Sequence, residues 1–386
     1  MIHSPRNDAD PPKVMPHMPK YIYQYDNWTD FHWHNAAVSA ALGEVRLLQG
    51  KILGQMHSLG FASKEEKNLE TLTLDVLKSS EIEGEKLQYD QVRSSIARRL
   101  GINTAGLGFS PRNVEGIVEM MLDATRNYQR PLTEERLFGW HSSLFPTGYS
   151  GMVKIEVARY RSEEMQVVSG AIGKEKIQYE AVADKDVQAE MDTFLSWLND
   201  EKIVMDSVLK SAIAHFWFII IHPFADGNGR IARAISDMLL ARSENSTERF
   251  YSLSKHILAE RNAYYEILKT SQYSIDITEW LIWFLKCLHR AMRETENGLE
   301  HILLKADFWE KHQNIQINER QRLMINTLLD DFFGKLTTSK WAKISKCSTD
   351  TALRDIKDLS EKGILSEGAA GGRSAHYTLV CQKITF

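Results

Sequence analysis

The densest chemistry in this sequence lies in one run, His222-Pro223-Phe224-Ala225-Asp226-Gly227-Asn228-Gly229-Arg230-Ile231-Ala232-Arg233. His222 titrates near neutrality and can take a proton from an attacking hydroxyl. Asp226 is a hard oxygen ligand suited to Mg, which typically takes one or two carboxylates together with phosphate oxygens. Glycines on both sides of Asn228 permit backbone conformations in which successive N–H groups point into one concavity, an anion nest. Arg230 and Arg233, three residues apart, are neighbours on one helical face and can both reach an oligophosphate. The combined chemistry is binding of an oligophosphate with a divalent cation beside a proton acceptor.

Such a loop needs two helices to hold it. The apolar run Ala212 to Ile221 ends where Pro223, which lacks an N–H and restricts the residue before it, opposes further helix. A second helix beginning near Gly229 aims its unpaired N–H groups and positive dipole end at the same spot. Apolar residues recur at helical spacing over Ala36–Leu59, Leu69–Leu77, Val114–Tyr128, Val187–Leu198, Val208–Ile221, Ile231–Arg242, Ala259–Gln272 and Ile277–Met292, so the fold class expected is mainly α. One segment departs from this. Met165 to Tyr179 alternates apolar and polar around Ser169-Gly170-Ala171-Ile172-Gly173 and reads as a β-hairpin with a glycine-rich tip.

At 386 residues, 43% apolar and 25% charged, the chain has the composition of a globular protein with two or three cores. The longest apolar run carries His215 and falls far short of the roughly 20 residues of a membrane span. Five of the nine prolines precede Lys20 with no apolar signal core, which reads as a disordered leader over 1–20. Cys287, Cys347 and Cys381 show neither a disulfide framework nor metal-ligand spacing. The expectation is a cytoplasmic protein with free thiols and no membrane association.

The net charge of −4 gives no whole-chain pull toward nucleic acid, but from Lys335 onward nine Lys and Arg face five Asp and Glu. That end reads as a winged helix-turn-helix domain over 315–386. Thr338 to Ser345 suits one helix, Lys346 to Ser348 a turn, Thr349 to Lys362 a second helix, and Ile364–Glu367 with His376–Val380 a wing. Thr349, Asp350, Arg354 and Arg373 would read DNA. Because Asp350, Asp355 and Asp358 put negative charge on the would-be recognition helix, a protein-interaction or homodimerisation module is the equal alternative.

The central run resembles the Fic family signature His-x-Phe-x-Asp/Glu-Gly-Asn-Gly-Arg-x-x-Arg at every specified position. The resemblance implies a helical Fic core over 111–310 that transfers AMP from Mg-ATP to a Ser, Thr or Tyr hydroxyl of a protein, including itself. It implies His222 as general base, Phe224 anchoring the loop, Asp226 on Mg, Gly227 and Gly229 forming the nest, and Asn228 orienting the phosphates. Arg230 and Arg233 would clamp the β- and γ-phosphates. The hairpin would be the Fic flap, docking the target protein by strand addition, with Val168, Ser169 and Gly170 near the nucleotide. Tyr264, Tyr265 and Gln272 would form the adenine site.

Upstream, Ser79-Ser80-Glu81-Ile82-Glu83-Gly84 matches the family's inhibitory pattern Ser/Thr-x-x-x-Glu-Gly/Asn within an N-terminal helical extension over 21–110. There Glu83 would pair with Arg233 and hold ATP in an unproductive pose. Gly229 favours AMP transfer over phosphorylation, because a lysine at that place in phosphorylating relatives fills the γ-phosphate site. Two alternatives stand beside the transferase: a nucleotide-sensing DNA-binding regulator, and removal of AMP by the same centre. The segment Gly151–Arg161 is longer than the family's usual turn before the flap.

Overall fold

In the computed structural model, residues 20–58, 61–102, 110–169, 176–330, 332, 334–368 and 376–380 are described. The chain divides into two units, one running up to Arg46 and then over Glu65–Ala291, the other comprising Leu47–Lys64 and the chain from Met292 onward.

Fourteen helices are present among the described residues: α1 (Asn35–Ser58), α2 (Phe61–Ile82), α3 (Tyr89–Leu100), α4 (Arg112–Arg126), α5 (Glu134–Leu144), α6 (Val187–Asn199), α7 (Ser207–Ile221), α8 (Asn228–Glu244), α9 (Leu253–Ala259), α10 (Arg261–Ser271), α11 (Thr278–Lys311), α12 (Glu319–Leu329), α13 (Thr338–Ile344) and α14 (Thr349–Glu361). Six short strands form three antiparallel pairs: β1 (Tyr149–Ser150) with β2 (Val153–Lys154), β3 (Gln166–Ser169) with β4 (Lys176–Glu180), and β5 (Leu365–Glu367) with β6 (Tyr377–Leu379). The mainly α expectation holds, and the strands expected at Met165–Tyr179 pair as β3 and β4, while the glycine-rich tip, 170–175, lies outside the described residues.

In the first unit the core is built on α7 and α8, which pack as antiparallel neighbours across the loop 222–227. Helix α7 is buried nearly all round, from Val208 to Ile221, and so carries no polar face. Its one ionisable core residue is satisfied: His215 Nδ1 lies 2.9 Å from Ser236 Oγ and Nε2 2.9 Å from the Tyr264 hydroxyl. Burial pushes the His215 pKa down to about 3, so the ring is neutral.

Periodicity did not anticipate α3, α5 or α12. Helix α5 buries Leu137, Trp140, His141 and Leu144, a proper helical stripe but one diluted by Trp and His. Its readable signal was the cap, for Thr133 accepts the Arg136 N–H at 3.2 Å. The stretch before the flap, longer than the family's usual turn, folds as β1 and β2 about Gly151 (φ 56°) and then runs to Arg161 without regular structure, with a bend at the left-handed Ala158 (φ 58°).

The second unit has its own core, with Trp341, Ile356, Leu359 and Ile364 fully buried. Helix α13, a turn with Lys346 at φ 50°, and α14 capped by Ser348 are followed by the β5–β6 hairpin, with a bridge from Leu336 to Tyr377. Arg373 and Cys381 lie outside the described residues; Cys287 is buried and Cys347 half-buried, both unbridged. No helix among the described residues is long and apolar enough to cross a membrane.

Candidate active site

The site is assembled where α7 ends. His222 takes a left-handed conformation (φ 52°, ψ 57°) and caps α7 through its N–H to Phe218 O at 3.0 Å. Its Nδ1 lies 3.2 Å from the Ile219 carbonyl, which can only accept, so the ring proton sits on Nδ1 and Nε2 keeps its lone pair. Burial, with Arg161 nearby, lowers the His222 pKa below 6.5 and favours that basic form.

Two residues to which sequence reasoning gave no role hold the loop. Arg161 is buried and gathers carbonyls from three segments: Nε donates to His222 O at 2.8 Å, NH1 to Glu163 O at 2.8 Å, and NH2 to Val182 O. Its own N–H donates to Pro223 O at 2.9 Å, tying the base of the flap to the loop. His141, on α5, stacks on Phe224 at 4.2 Å between centroids and lies with Nε2 3.1 Å from the Asp226 carbonyl. Because the Ala158 N–H donates to His141 Nδ1 at 3.2 Å, the ring proton is on Nε2 and a second proton has no place. Burial accordingly pushes its pKa down to about 4. Neither residue sits in the signature; only the tertiary structure brings them to it.

Phe224 is fully buried, as an anchor should be. Asn228 differs from expectation. Its amide donates to Phe224 O at 2.7 Å and accepts the Phe224 N–H at 3.0 Å, so its side chain braces the loop from within. Gly227 is left-handed (φ 85°) at the N-terminus of α8, and a Cβ there would meet Phe145 at 2.9 Å, so glycine is required twice over. Asp226 accepts from Ser150 Oγ and from the Gly227 N–H at 2.5 Å and stays 42% exposed. Asp226 is the one acid of the loop 222–230, and among the described residues no cluster of three or more His, Cys, Asp or Glu is assembled.

The two signature arginines are buried and already engaged. Arg233 donates from Nε to Ser79 Oγ at 2.8 Å, and from NH2 to Ser79 O at 2.9 Å and Glu83 Oε1 at 2.7 Å. A Cβ on Gly229 would stand 2.1 Å from Glu83 Oε1 and 3.2 Å from Arg233 NH1, which places the carboxylate directly over the glycine nest. Glu83 lies one residue past α2 rather than within it; Glu81 pairs with Lys78 instead. Arg230 packs over Phe145 and donates to Glu85 Oε2 at 3.1 Å. Arg230 Nε and Arg233 NH1 are buried with no partner. The orphaned Arg233 nitrogen beside Gly229 is what an anionic ligand would satisfy.

A cleft beside this loop is lined by Glu83, His222, Gly229, Tyr265, Gln272 and, from the flap, Tyr179. Tyr264 also reaches its wall but is 1% exposed with its hydroxyl spent on His215, so it is first a core residue; Tyr265, 41% exposed, presents the ring face. The backbones of Val168 and Ser169 pair with Ile177 and Lys176 across the flap, and Gly170 lies outside the described residues.

Comparisons agree with this geometry. Residues 131–240 match the Fic/DOC family, and residues 21–102 match a domain of unknown function, DUF4172. A protein adenylyltransferase fic-1 from Caenorhabditis briggsae is 39% identical over 67 residues, 17% of this chain and 13% of that protein. A probable protein adenylyltransferase from Aquifex aeolicus (strain VF5) is 41% identical over 71 residues, 18% of this chain and 22% of that protein. The chain thus aligns with less than a quarter of these relatives' own lengths. A solved Fic family protein from Desulfovibrio desulfuricans G20 shares the fold, with a TM-score of 0.51 and 21% identity over 89% of this chain and 95% of that one. The signature loop, the helices that frame it and the match over residues 131–240 establish that this chain carries a Fic/DOC family domain.

Proposed function

We propose that the chain transfers AMP from Mg-ATP to a Ser, Thr or Tyr hydroxyl of a protein, and that Glu83 restrains it. The observation that carries this reading is the pairing of a proton acceptor, His222, with a glycine nest and two buried arginines whose free nitrogens lack a partner. The target hydroxyl would lose its proton to His222 Nε2 as its oxygen bonds to the α-phosphorus. The bond from that phosphorus to the bridging oxygen breaks, and pyrophosphate leaves against Arg230 and Arg233. Asp226 would hold Mg together with phosphate oxygens, and the ion would offset charge on the leaving group. The backbone amides around Gly227 and Gly229 would cradle the phosphates, while Tyr265 and Gln272 would face the base. The flap strands β3 and β4 would receive the target segment by strand addition.

Restraint follows from charge. Glu83 occupies the Arg233 guanidinium and puts a carboxylate where a terminal phosphate would sit, so triphosphate must displace it. The test is labelling with α-labelled ATP and Mg. Wild type should label weakly, Glu83→Gly roughly tenfold or more strongly, since a charge-assisted contact is worth about 1.5 to 3 kcal/mol. His222→Ala in that background should lose about 10²- to 10⁴-fold. Arg233→Ala should be inactive with or without Glu83. Label persisting without His222, or none from any variant against self or added proteins, overturns the assignment.

A second reading concerns the second unit. Asp355 is buried against Arg320 (2.8 Å) and Asp358 is bound by Lys362 (2.6 Å), so of the four acids on α14 Asp350 and Glu361 stay exposed, alongside Arg354 and Lys357. With Lys343 and Lys346 also exposed on α13 and the turn that follows it, contact with DNA is favoured over the dimerisation alternative.

A further inference from the structure

The turn that carries Glu83 also carries Glu85, and the two acids reach different arginines. Helix α2 ends in a paired cap: the Glu85 N–H donates to Ser80 O and the Gly84 N–H to Glu81 O, both at 3.0 Å, with Gly84 left-handed at φ 87°. This reversal presents both flanking acids to α8. Glu83 lies on Arg233 at 2.7 Å, and Glu85 lies on Arg230 at 3.1 Å. The Glu85 carboxylate is further fixed by Asn113 on α4, whose amide donates to Oε1 at 3.2 Å. Arg230 itself is 7% exposed and pinned over Phe145, so it cannot swing away to leave its acid.

We propose that Glu85 is a second phosphate-discriminating residue of this site. Resting on the AMP-transfer reading, the restraint is double: Glu83 neutralises Arg233, and Glu85 at 3.1 Å, with Asp226 Oδ1 farther off at 3.9 Å, neutralises Arg230, so a nucleotide is resisted according to how many phosphates it brings to Arg230 and Arg233. A monophosphate, whose phosphate need reach neither guanidinium, is not resisted. Glu83 and Glu85 therefore act on nucleotide selection separately, and removing Glu83 leaves half of the restraint in place.

The test is calorimetric binding of AMP, ADP and ATP, each with Mg, to the full chain. Glu85→Gln keeps the size of the side chain and its contact with Asn113 while removing the charge. It should raise ADP and ATP affinity by about three- to tenfold, the modest end of the range because the Glu85 side chain is 35% exposed, and leave AMP within twofold. Glu85→Asp, which retains the charge, should stay near wild type. Equal gains for all three nucleotides would mark a general loosening, and no gain for any would mark Glu85 as scaffold; either overturns the proposal. Labelling run in parallel separates the two readings. If Glu83→Gly labels while Glu85→Gln binds like wild type, AMP transfer stands and the double restraint falls. If no variant labels but Glu85→Gln still gains for ADP and ATP alone, the reverse holds.

Discussion

At the residue scale, the site turns on one buried cation. Arg233 is 1% exposed, and its charge is balanced by a single carboxylate, Glu83, beside two neutral contacts to Ser79. Removing one partner of such a pair leaves an uncompensated buried charge, which typically costs about 3 to 5 kcal/mol. Glu83→Gly should therefore melt at a lower temperature than wild type, and ATP, whose phosphate restores a counter-charge, should recover more of the loss than it adds to wild type. Thermal melts with and without Mg-ATP check this; equal ATP shifts would contradict it. His141 gives a pH signature. Its folded pKa of about 4 lies below the ordinary 6.5, so the unfolded chain binds the extra proton first, and the stability it contributes is complete above 6.5 and lost as pH falls toward 4. Relative to His141→Gln, wild type should lose about 1.4 kcal/mol per pH unit across that window. A flat difference in chemical denaturation would show the ring free to protonate.

At the element scale, α2 and α8 are held in register by a buried ionic knot. Arg249 binds Asp237 and Glu244 of α8, each at 3.1 Å, and its backbone N–H donates to Asn68 of α2 at 2.8 Å. Asp75 of α2 joins through Ser252, and burial raises its pKa well above the carboxylate range. The restraining turn is thus delivered by a helix that cannot slide along its partner without breaking buried hydrogen bonds to the segment that Arg249 ties to α8. Its end is set by Gly84, whose Cβ position is open but whose φ of 87° disfavours any other residue. Gly84→Ala should cost about 1 to 2 kcal/mol and loosen both flanking acids together. The expected outcome is partial activation of labelling, below that of Glu83→Gly, with a lowered melting temperature. Lowered stability with unchanged labelling would detach the cap from the restraint.

At the scale of the whole molecule, two units with separate cores carry separate surfaces. The first holds the cleft and the arginines. In the second, α14 turns Ile356 and Leu359 inward and leaves Arg354 and Lys357 exposed, while α12 and its cap absorb the charge of Asp355 through Arg320 and Asn318. Binding of a short random-sequence duplex by the full chain should accordingly weaken with salt, and Arg354→Glu with Lys357→Glu should reduce the slope of log affinity against log salt by about 2. Concentration-dependent self-association lost in the same variant, with no DNA binding, would assign the face to a second copy instead.

Local rules sufficed for much of this. The helices α7 and α8, the loop between them, the flap strands and the order of α13, α14 and the terminal hairpin were legible because each rests on short-range physics: apolar periodicity, a proline stop, glycine turns and a serine cap. His222, Asp226, Gly227, Gly229, Arg230 and Arg233 were legible as a set because their spacing alone puts them on one loop and one helix face. What the sequence could not carry was contact across long separations. His141 and Arg161 reach the loop from 85 and 61 residues away, and no local pattern marks a histidine that props a carbonyl or an arginine that gathers three. Asn228 and Tyr264 looked like ligand groups because their free valences could be counted but not their partners; folding spends those valences on Phe224 and His215. Glu85 escaped notice for the same reason. An acid on a turn is ordinary until the tertiary structure sets it 3.1 Å from a buried arginine, where the low dielectric around the guanidinium makes its charge count.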